Sequence, residues 1–551
     1  MLALSAKSQH EIRLYVSDRP LPPFDFLGLA FDGSDVIAGL EGYGRFRQVR
    51  KKTLKPGADG AYIVLERRGD LTEIGADYGG YLHLFLYQHE NFWALSNSFL
   101  ELASYVSRRG VPLTPNLSHL SGFFVPRAMW QQPTTLRTGI REIRLVPPKS
   151  KIVIKHCETG NRLVLENRTE NEIKPGYSYR DALGDYVRCW VGRMATMLQS
   201  DAFLICDVTG GRDSRTVLAL MLSACRLLGI DPSERISFNS NPRNKNDLDF
   251  AKQLGDSCGF SIGLDIARIK RSSALHATEA YEIWKTQYLG AYHPIYFNDR
   301  QRNGLKLWSG GSGGETVRPI KGIGVANEVI KLLDSARGLF WQEAHFEELR
   351  ADFVEDLETL RTGERSDISS VLLHFRSFRE RFHHGRRAMT NNAISPLSGQ
   401  LLRQVGSLAD KKVWNEGTVL ADVMANAYPD VFGIPFEKDY TGFHHSDLAD
   451  RTQLPNILKN VDLDGRCFLD MGDQSQSRTF QRKEVLDILA KDFEQSISRM
   501  QSLDLVPTRS FEMFSDHMKL ALSEGGFRHP KDGCGIATVV LSAALADMWT
   551  S

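Results

Sequence analysis

The sequence of 551 residues predicts an α/β protein with two domains, a β-rich domain over residues 1–170 and a larger domain with a parallel sheet over residues 176–551. Two observations support this prediction. Before about residue 165, short β-branched and aromatic runs of strand length are separated by Gly, Pro and Asp. After Pro175, amphipathic helical segments alternate with short apolar strands, which is typical of a parallel sheet covered by helices.

The pattern also predicts individual elements in each domain. In the first domain they are strands at 61–65, 82–87 and 92–95 and a closing hairpin of residues 151–155 and 162–165. The second domain begins with a predicted helix at 180–198, whose apolar residues recur three and four positions apart. Strand and helix then alternate at 202–206, 215–228, 235–238 and 247–254. From about residue 330 the chain is predicted to be mainly helical.

Composition argues against several classes of protein. The 68 Lys and Arg residues against 67 Asp and Glu leave a formal charge of +1, so no nucleic-acid partner is expected from charge. Seven scattered cysteines without a CxxC pair argue against a disulfide framework and against a structural zinc site. The N-terminus lacks the apolar run of a signal peptide, and no apolar stretch is long enough for a membrane span. We therefore expect a cytoplasmic protein.

The segment Asp207–Arg215, D-V-T-G-G-R-D-S-R, lies between a predicted strand and a predicted helix. Its Gly-Gly pair lets the backbone turn tightly and approach a phosphate. The hydroxyls of Thr209 and Ser214 add donors, and the N-terminus of the following helix attracts an anion. Asp213 would repel that anion unless a cation such as Mg²⁺ lay between them. The alternative is a plain strand–turn–helix connection with a Ser or Asp cap, but the full combination favours phosphate binding.

Thr209–Ser214 resembles the S-G-G-x-D-S pyrophosphate loop of the PP-loop ATP pyrophosphatases, and within that group the chain resembles the asparagine synthetase family. Further stretches resemble that family in the same order along the chain, over about residues 60–450. They are residues 76–81, 93–97, 140–148, 237–240, 247–255, 307–315, 393–397 and 436–438. Each stretch is weak alone, and their common order strengthens the resemblance.

The resemblance implies an N-terminal-nucleophile-hydrolase-like β sandwich followed by a PP-loop synthetase domain of the adenine nucleotide α-hydrolase type, with a helical C-terminal part. It implies a ligase that uses ATP and Mg²⁺ to adenylate a carboxylate, releasing pyrophosphate, and then forms an amide from ammonia or an amine with loss of AMP. The carboxylate is a small molecule, a peptide or a sugar acid, and a homodimer is compatible with the resemblance. The implied nucleotide-binding residues are Thr209, Gly210, Gly211, Asp213, Ser214, Ser237, Phe238, Ser309 and Gly310.

The resemblance also implies two catalytic residues, Lys438 and Glu315. Lys438 falls where the family has a catalytic lysine, which would stabilise charge on the α-phosphate; without the resemblance it would be interpreted as a solvated surface lysine. Glu315 is the one acidic residue left in the loop 309–315, because Gly311 and Gly314 stand where the family has a Glu and a Mg²⁺-binding Asp. Asp213 and Glu315 are therefore the predicted metal ligands.

A second departure concerns the N-terminal domain. The family's glutaminase half uses a cysteine at position 2, which is Leu2 here, and no cysteine precedes Cys157. Glutamine hydrolysis is therefore not expected, as in the β-lactam synthetases and lasso-peptide cyclases that also lack this cysteine. The alternative function is a nucleotide-binding or scaffolding protein that has lost catalysis. The glycines at 311 and 314 favour this alternative, and the retention of Asp213 and Lys438 opposes it.

Other conspicuous residues receive structural interpretations. The tandem pairs His383–His384 and His444–His445 are not expected to share a metal, because neighbouring side chains diverge. A run of five arginines is interpreted as a solvated helix face, with an acidic substrate as the alternative: Arg376, Arg379, Arg381, Arg386 and Arg387. Three tryptophans are expected in the core, namely Trp130, Trp190 and Trp284.

Overall fold

The structure is a computed structural model that describes residues 12–125, 127–130, 132–157, 160–168, 175–242, 244–263, 276–287, 305–319, 328–362, 368–389, 391–470, 482–528 and 532–549. Over these residues the protein is mixed α/β, with three sheets of which one is entirely parallel. This confirms the predicted fold class at the level of α/β with a parallel sheet. Leu2, which stands at the family's nucleophile position, lies outside the described residues.

The strands are numbered in chain order. They are β1 Leu14–Val16, β2 Phe24–Asp32, β3 Asp35–Ala38, β4 Gly60–Arg68, β5 Leu71–Ala76, β6 Phe85–His89, β7 Phe92–Ser96, β8 Ile143–Leu145, β9 Ser150–Cys157, β10 Gly160–Asn167, β11 Phe203–Asp207, β12 Ile236–Asn239, β13 Lys306–Ser309, β14 Asn392–Ile394 and β15 Cys467–Leu469.

The helices are numbered in the same way. They are α1 Gly39–Arg50, α2 Phe99–Arg108, α3 Leu117–Gly122, α4 Tyr179–Leu198, α5 Arg212–Leu228, α6 Pro232–Arg235, α7 Lys245–Cys258, α8 Ala277–Gln287, α9 Val329–Asp334, α10 Glu343–Arg361, α11 Ser370–His374, α12 Arg381–Ala388, α13 Gln400–Leu408, α14 Lys411–Glu416, α15 Val419–Ala427, α16 Arg482–Gln501, α17 Thr508–Glu524 and α18 Asp532–Trp549. A π-helical turn, Phe375–Glu380, joins α11 to α12.

The N-terminal region contains two sheets, with strand orders β1-β7-β6-β8 and β10-β9-β5-β4-β2-β3-β15. The hairpin β9–β10 is antiparallel and confirms the predicted closing hairpin. The strand predicted at 82–87 begins only at Phe85, because Asp77 accepts hydrogen bonds from the backbone N–H groups of Tyr81 and Leu82. β15 comes from the C-terminal part of the chain and adds to β3 in parallel. The chain of the predicted second domain therefore completes a sheet of the first.

The parallel sheet has the order β12-β11-β13-β14, with Leu204 of β11 paired to Ile236 on one side and to Leu307 on the other. α5 ends where predicted, since Gly229 takes the left-handed conformation (φ 66°) that closes a helix. Its start at Arg212 is three residues earlier than predicted. Asp213 and Ser214 therefore lie in the first turn of a helix and not in an extended loop.

Helices α4, α5 and α15 pack together beside this sheet and bury its apolar strands. α4 begins with a capping box, in which the Ser178 and Asp181 side chains satisfy each other's backbone N–H groups. The three tryptophans are buried as predicted, Trp190 in this core and Trp130 and Trp284 in the core of the N-terminal sheets and C-terminal helices. Among the described helices, none has the length and apolar character needed to cross a bilayer. All seven cysteines are described, and none of them forms a disulfide.

A buried ion pair joins the N-terminal sheet to α4. Arg193 Nη1 donates to Asp59 Oδ2 over 2.9 Å, and the two side chains are 5% and 6% exposed. Asp59 also accepts from the backbone N–H of Gln400 at the start of α13. The Arg193 guanidinium lies 4.6 Å from the Trp190 ring centroid and 4.8 Å from that of Phe31. The pair of Asp59 and Arg193 thus connects the segment before β4, helix α4 and the start of α13, which are distant in sequence.

We predict that Asp59→Ala lowers the free energy of unfolding by about 3–5 kcal/mol, because it leaves the Arg193 charge buried without its partner. Urea denaturation followed by circular dichroism measures this loss. The control is Asp430→Ala, which removes an exposed partner of Arg226 and should cost about 1 kcal/mol or less. Equal losses for the two variants would contradict the structural role of the pair.

Candidate functional site

The loop after β11 and the loop after β13 lie side by side at the carboxyl edge of the parallel sheet. β12 lies on one side of β11 and β13 on the other, so the order of strand addition reverses at β11. In open α/β sheets such a switch point leaves a crevice beyond the strand ends, and ligands bind there. The two segments that the sequence singled out, Thr209–Ser214 and Ser309–Glu315, are the loops that flank this crevice.

The side chains of the first loop hold it in a closed turn. Thr209 Oγ1 lies 2.7 Å from Ser214 Oγ, and the Thr209 N–H donates to the same Ser214 oxygen over 3.2 Å. The Gly211 N–H donates to Thr209 Oγ1, and the Gly210 N–H donates to Asp247 Oδ1 over 3.3 Å. The hydroxyls and N–H groups expected to meet a phosphate are therefore gathered within one turn. A bound phosphate would replace these internal bonds.

The second loop packs so closely on this turn that two of its positions have no room for a side chain. A Cβ on Gly311 would lie 2.5 Å from the backbone N of Ser214, and a Cβ on Gly314 would lie 2.2 Å from Asp213 Oδ1. Real Cβ atoms do not approach other atoms this closely. Neither Glu nor Asp therefore fits at position 311 or 314 in this arrangement.

The Asp213 carboxylate, a predicted metal ligand, is held by an arginine. Arg318 Nη1 donates to Asp213 Oδ1 over 2.8 Å and Nη2 donates to Oδ2 over 3.1 Å. Glu315, the other predicted ligand, lies 3.6 Å from the same guanidinium. Burial and the charge of Asp213 raise the pKa of Glu315, and Arg318 opposes this rise. The three side chains form one charged cluster, called here the 213–315–318 cluster.

A cavity of about 360 Å³ opens beside this cluster. It is lined by Thr209, Gly211, Arg212, Asp213, Ser214, Glu315, Arg318, Pro319, Glu437, Lys438 and Tyr440. We call it the first cavity. The structure therefore brings Lys438, Glu315 and the 209–214 loop to one cavity. The Lys438 side chain is 73% exposed and lies 3.9 Å from Glu437.

The segment that carries Lys438 is fixed to α5 by a buried arginine. Arg215, which is 0% exposed, donates hydrogen bonds to the backbone carbonyls of Val431, Ile434 and Pro435. Its guanidinium lies 3.8 Å from the ring centroid of Phe436. Because Arg215 follows Ser214 directly, the helix that presents the loop also positions the lysine segment.

A second cavity of about 410 Å³ lies on the other side of the 209–214 loop. It is lined by Asp207, Thr209, Asp213, Ser214, Gly311, Ser312, Gly313, Glu315, Phe375, Arg379, Glu380, His383, His384, Arg386 and Arg387. Asp207, at the end of β11, accepts hydrogen bonds from Asn239, Trp308 and Arg387 over 2.8–2.9 Å. The two cavities share Thr209, Asp213, Ser214 and Glu315.

The run of arginines does not form the solvated helix face that we predicted. Arg381 is 1% exposed and donates to the backbone carbonyls of Gly80 and Val146, so that interpretation is wrong for this residue. Arg376 donates to the carbonyl of Thr316. Arg379, Arg386 and Arg387 line the second cavity instead of an open surface. The physical reason is that α12 is packed between the N-terminal sheets and the parallel sheet.

The tandem histidines His383 and His384 both line the second cavity, and the absence of a shared metal stays a prediction. His384 is buried, lies edge-on to the Tyr81 ring at 4.3 Å and shares a hydrogen bond with Ser395. Burial and the charge of Arg387 lower the pKa of His384 to about 3, so the ring is neutral at pH 7. His444 pairs with Asp439 over 2.8 Å, and neither residue lines either cavity.

Three of the four remaining predicted nucleotide-binding residues lie in the strands themselves, and Gly310 directly follows β13. Ser237 and Phe238 are buried in β12, where Ser237 donates to the Gly263 carbonyl and Phe238 stacks on Phe260 at 4.0 Å. Ser309 is buried at the end of β13, and its hydroxyl has no hydrogen-bond partner among the described residues. Gly310 lies under Arg387, where a Cβ would meet Nη1 at 2.4 Å. None of these four residues lines either cavity as described.

Several residues of the site were missed by sequence reasoning. Arg318 follows Glu315 by three positions, and this spacing could have indicated an ion pair. Arg212, at the variable position of the loop motif, lies 4.6 Å from the Tyr440 ring centroid in the first cavity. Asp207 gave a weak signal, because it ends an otherwise apolar strand. Only the three-dimensional fold reveals the role of Arg215.

The two predicted metal ligands, Asp213 and Glu315, both lie within ion-pair distance of Arg318. Within the described part of the chain, no three His, Cys, Asp or Glu side chains come together as a ligand group. Asp213 has both oxygens engaged by Arg318, and the same guanidinium faces Glu315. In this arrangement the two carboxylates fit a guanidinium, and they fit a metal ion only if Arg318 withdraws.

A comparison with protein-family models finds no match, and a comparison with curated proteins finds none either.

We predict that Gly311→Ala lowers the free energy of unfolding by about 1–3 kcal/mol, because its Cβ would press on the backbone of Ser214. Thermal and urea melts measure the change. The control is Gly338→Ala, since a Cβ on Gly338 would meet no described atom within 4 Å. If both variants are equally stable, the two loops do not pack as described.

Proposed function

We propose that this chain is an ATP-dependent, asparagine synthetase-like carbon–nitrogen ligase. It would adenylate a carboxylate with release of pyrophosphate, and ammonia or an amine would then displace AMP to form an amide. We further propose an N-terminal-nucleophile-type sandwich without glutaminase activity and a PP-loop synthetase domain. The observation that carries the proposal is the 209–214 loop, which begins α5 at the switch point of a parallel sheet and faces a cavity with Lys438.

The first cavity has the chemistry for the phosphates of ATP. The helix N-terminus, the hydroxyls of Thr209 and Ser214 and the backbone of Gly210 and Gly211 are donors suited to pyrophosphate. Lys438 at the rim would stabilise the charge that develops on the α-phosphate and on the leaving group. Asp213 and Glu315 stay the candidate ligands of Mg²⁺ in this proposal, and Arg318 competes for both.

The second cavity has the chemistry for the acyl substrate. It shares the 209–214 loop with the first cavity, so a carboxylate bound there would reach the α-phosphate without leaving the crevice. Arg379, Arg386 and Arg387 line its wall and suit an anionic group. A small acid, a peptide or a sugar acid fits this description. Cysteines that form no disulfide and the need for ATP suit a cytoplasmic enzyme, and the balanced charge gives no support for a nucleic-acid partner.

The second candidate is a nucleotide-binding or scaffolding protein of the same fold that has lost catalysis. The observation that favours it is the engagement of Asp213 by Arg318 together with the lack of space at Gly314. Such a protein would bind ATP without splitting it between the α and β phosphates.

The test is release of AMP and pyrophosphate from Mg·ATP in the presence of a small-molecule extract. We predict that the wild type releases both products and that Asp213→Ala abolishes the release, a loss of about a hundredfold or more. The matched control, Asp430→Ala, alters a remote surface carboxylate and should retain the activity.

Extract-dependent pyrophosphate that disappears in Asp213→Ala would support the ligase. ATP binding without cleavage in the wild type would favour the scaffold. Normal cleavage by Asp213→Ala would show that the reaction occurs elsewhere in the protein.

A further inference from the structure

Arg318 occupies the centre of the 213–315–318 cluster. Its side chain is 14% exposed, and the opposing Asp213 side chain is 24% exposed. Two of the five N–H groups of the guanidinium meet the two oxygens of Asp213 in the paired geometry that suits arginine and carboxylate. A lysine could not reproduce this geometry. The pairing is therefore specific to arginine and is shielded from bulk solvent.

The surroundings of Asp213 favour the guanidinium over a divalent ion. A divalent ion usually requires several oxygen ligands, and a Cβ on Gly314 would lie 2.2 Å from Asp213 Oδ1, so no acidic side chain fits at that position. The acid that does lie nearby, Glu315, is also within ion-pair distance of Arg318. The positive charge of Arg318 thus lies between Asp213 and Glu315, which are the only acidic residues of the turn 209–214 and of the described segment 309–319.

Arg318 also faces the ligand space. It lines the first cavity together with Arg212 and Lys438, so three cations face this cavity. The next residue, Pro319, lines the same wall. Glu437 and the two acids of the cluster are the anions of this cavity. An anionic ligand in this cavity would contact Arg318 directly. The guanidinium could keep its bonds to Asp213, because three of its N–H groups remain for other contacts.

We propose that Arg318 is the resident cation of this site before a nucleotide binds: it neutralises Asp213 and Glu315 in place of a protein-bound divalent ion, and it offers its remaining donors to a phosphate group. The first half concerns the protein alone. The second half rests on the proposed function, because it requires a nucleotide in the first cavity. The site would accordingly bind ATP with little dependence on divalent metal, and the protein without nucleotide would have low affinity for metal at Asp213.

The first experiment measures Mn²⁺ binding to the full chain without nucleotide, by electron paramagnetic resonance of the free ion. We expect no Mn²⁺ binding to the wild type at Asp213 below about 1 mM, and binding that is about tenfold tighter in Arg318→Met, since removing the guanidinium frees two carboxylates. The gain should disappear in Arg318→Met/Asp213→Asn. Arg318→Gln, which keeps hydrogen-bonding capacity without charge, should behave like Arg318→Met and serves if the methionine variant fails to fold.

The control variant is Arg528→Met, which breaks an exposed arginine–carboxylate pair at the end of α17 and should leave Mn²⁺ binding unchanged. Tight Mn²⁺ binding to the wild type that Asp213→Asn removes would overturn the proposal. Equal Mn²⁺ affinity in wild type and both Arg318 variants would overturn it as well.

The second experiment titrates ATP into each protein by calorimetry, once with Mg²⁺ and once with EDTA. We expect the affinity of the wild type for ATP to differ by less than about tenfold between Mg²⁺ and EDTA. For Arg318→Met we expect the affinity for ATP in EDTA to be about a hundredfold lower than its affinity in Mg²⁺. A wild type that binds ATP only with Mg²⁺ would overturn the role of Arg318 toward phosphate. Failure of every protein to bind ATP in both conditions would instead reject the proposed nucleotide site, and the Mn²⁺ result would still decide the role of Arg318 at Asp213.

Discussion

The close approach of the loops after β11 and β13 is the constraint on which the site depends. The two strands are neighbours in a parallel sheet, so their carboxyl ends meet at one edge. The loops then pack at a separation that excludes even a Cβ at positions 311 and 314. This contact fixes the first turn of α5, and with it the direction in which Thr209, Asp213 and Ser214 face the crevice. A wider separation would have allowed acidic side chains there.

The same constraint determines the charges of the site. With no acid at position 314, the acidic neighbour of Asp213 is Glu315. The positive charge that faces both carboxylates comes from Arg318, three residues after Glu315. The Asp213 carboxylate needs a positively charged neighbour, because a half-buried charge without a partner is unfavourable. The close packing at Gly311 and Gly314 and the ion pair of Arg318 with Asp213 therefore belong to one arrangement of the two loops.

Much of the fold could be predicted from the sequence, because strand-length apolar runs and the helical stripe of α4 depend on local periodicity. The loop 209–214 could be predicted for the same reason, since Gly-Gly between strand and helix is a local signal. The buried role of Arg381 and the pairing of β15 with β3 could not be predicted. Both depend on contacts between residues hundreds of positions apart, which leave no periodicity. Arg215 was missed because its partners are backbone carbonyls, which any sequence supplies.

These long-range contacts also give the N-terminal region a structural part in the site. Arg381 at the start of α12 donates to the carbonyls of Gly80 and Val146. The Tyr81 hydroxyl lies within hydrogen-bond distance of Glu380 and of the Ser398 carbonyl. α12 and the preceding π-helical turn form the wall of the second cavity. That wall is therefore held by residues of the N-terminal sheets. The N-terminal region therefore supports the second cavity, because without it the Arg381 guanidinium would lose the two carbonyls to which it donates.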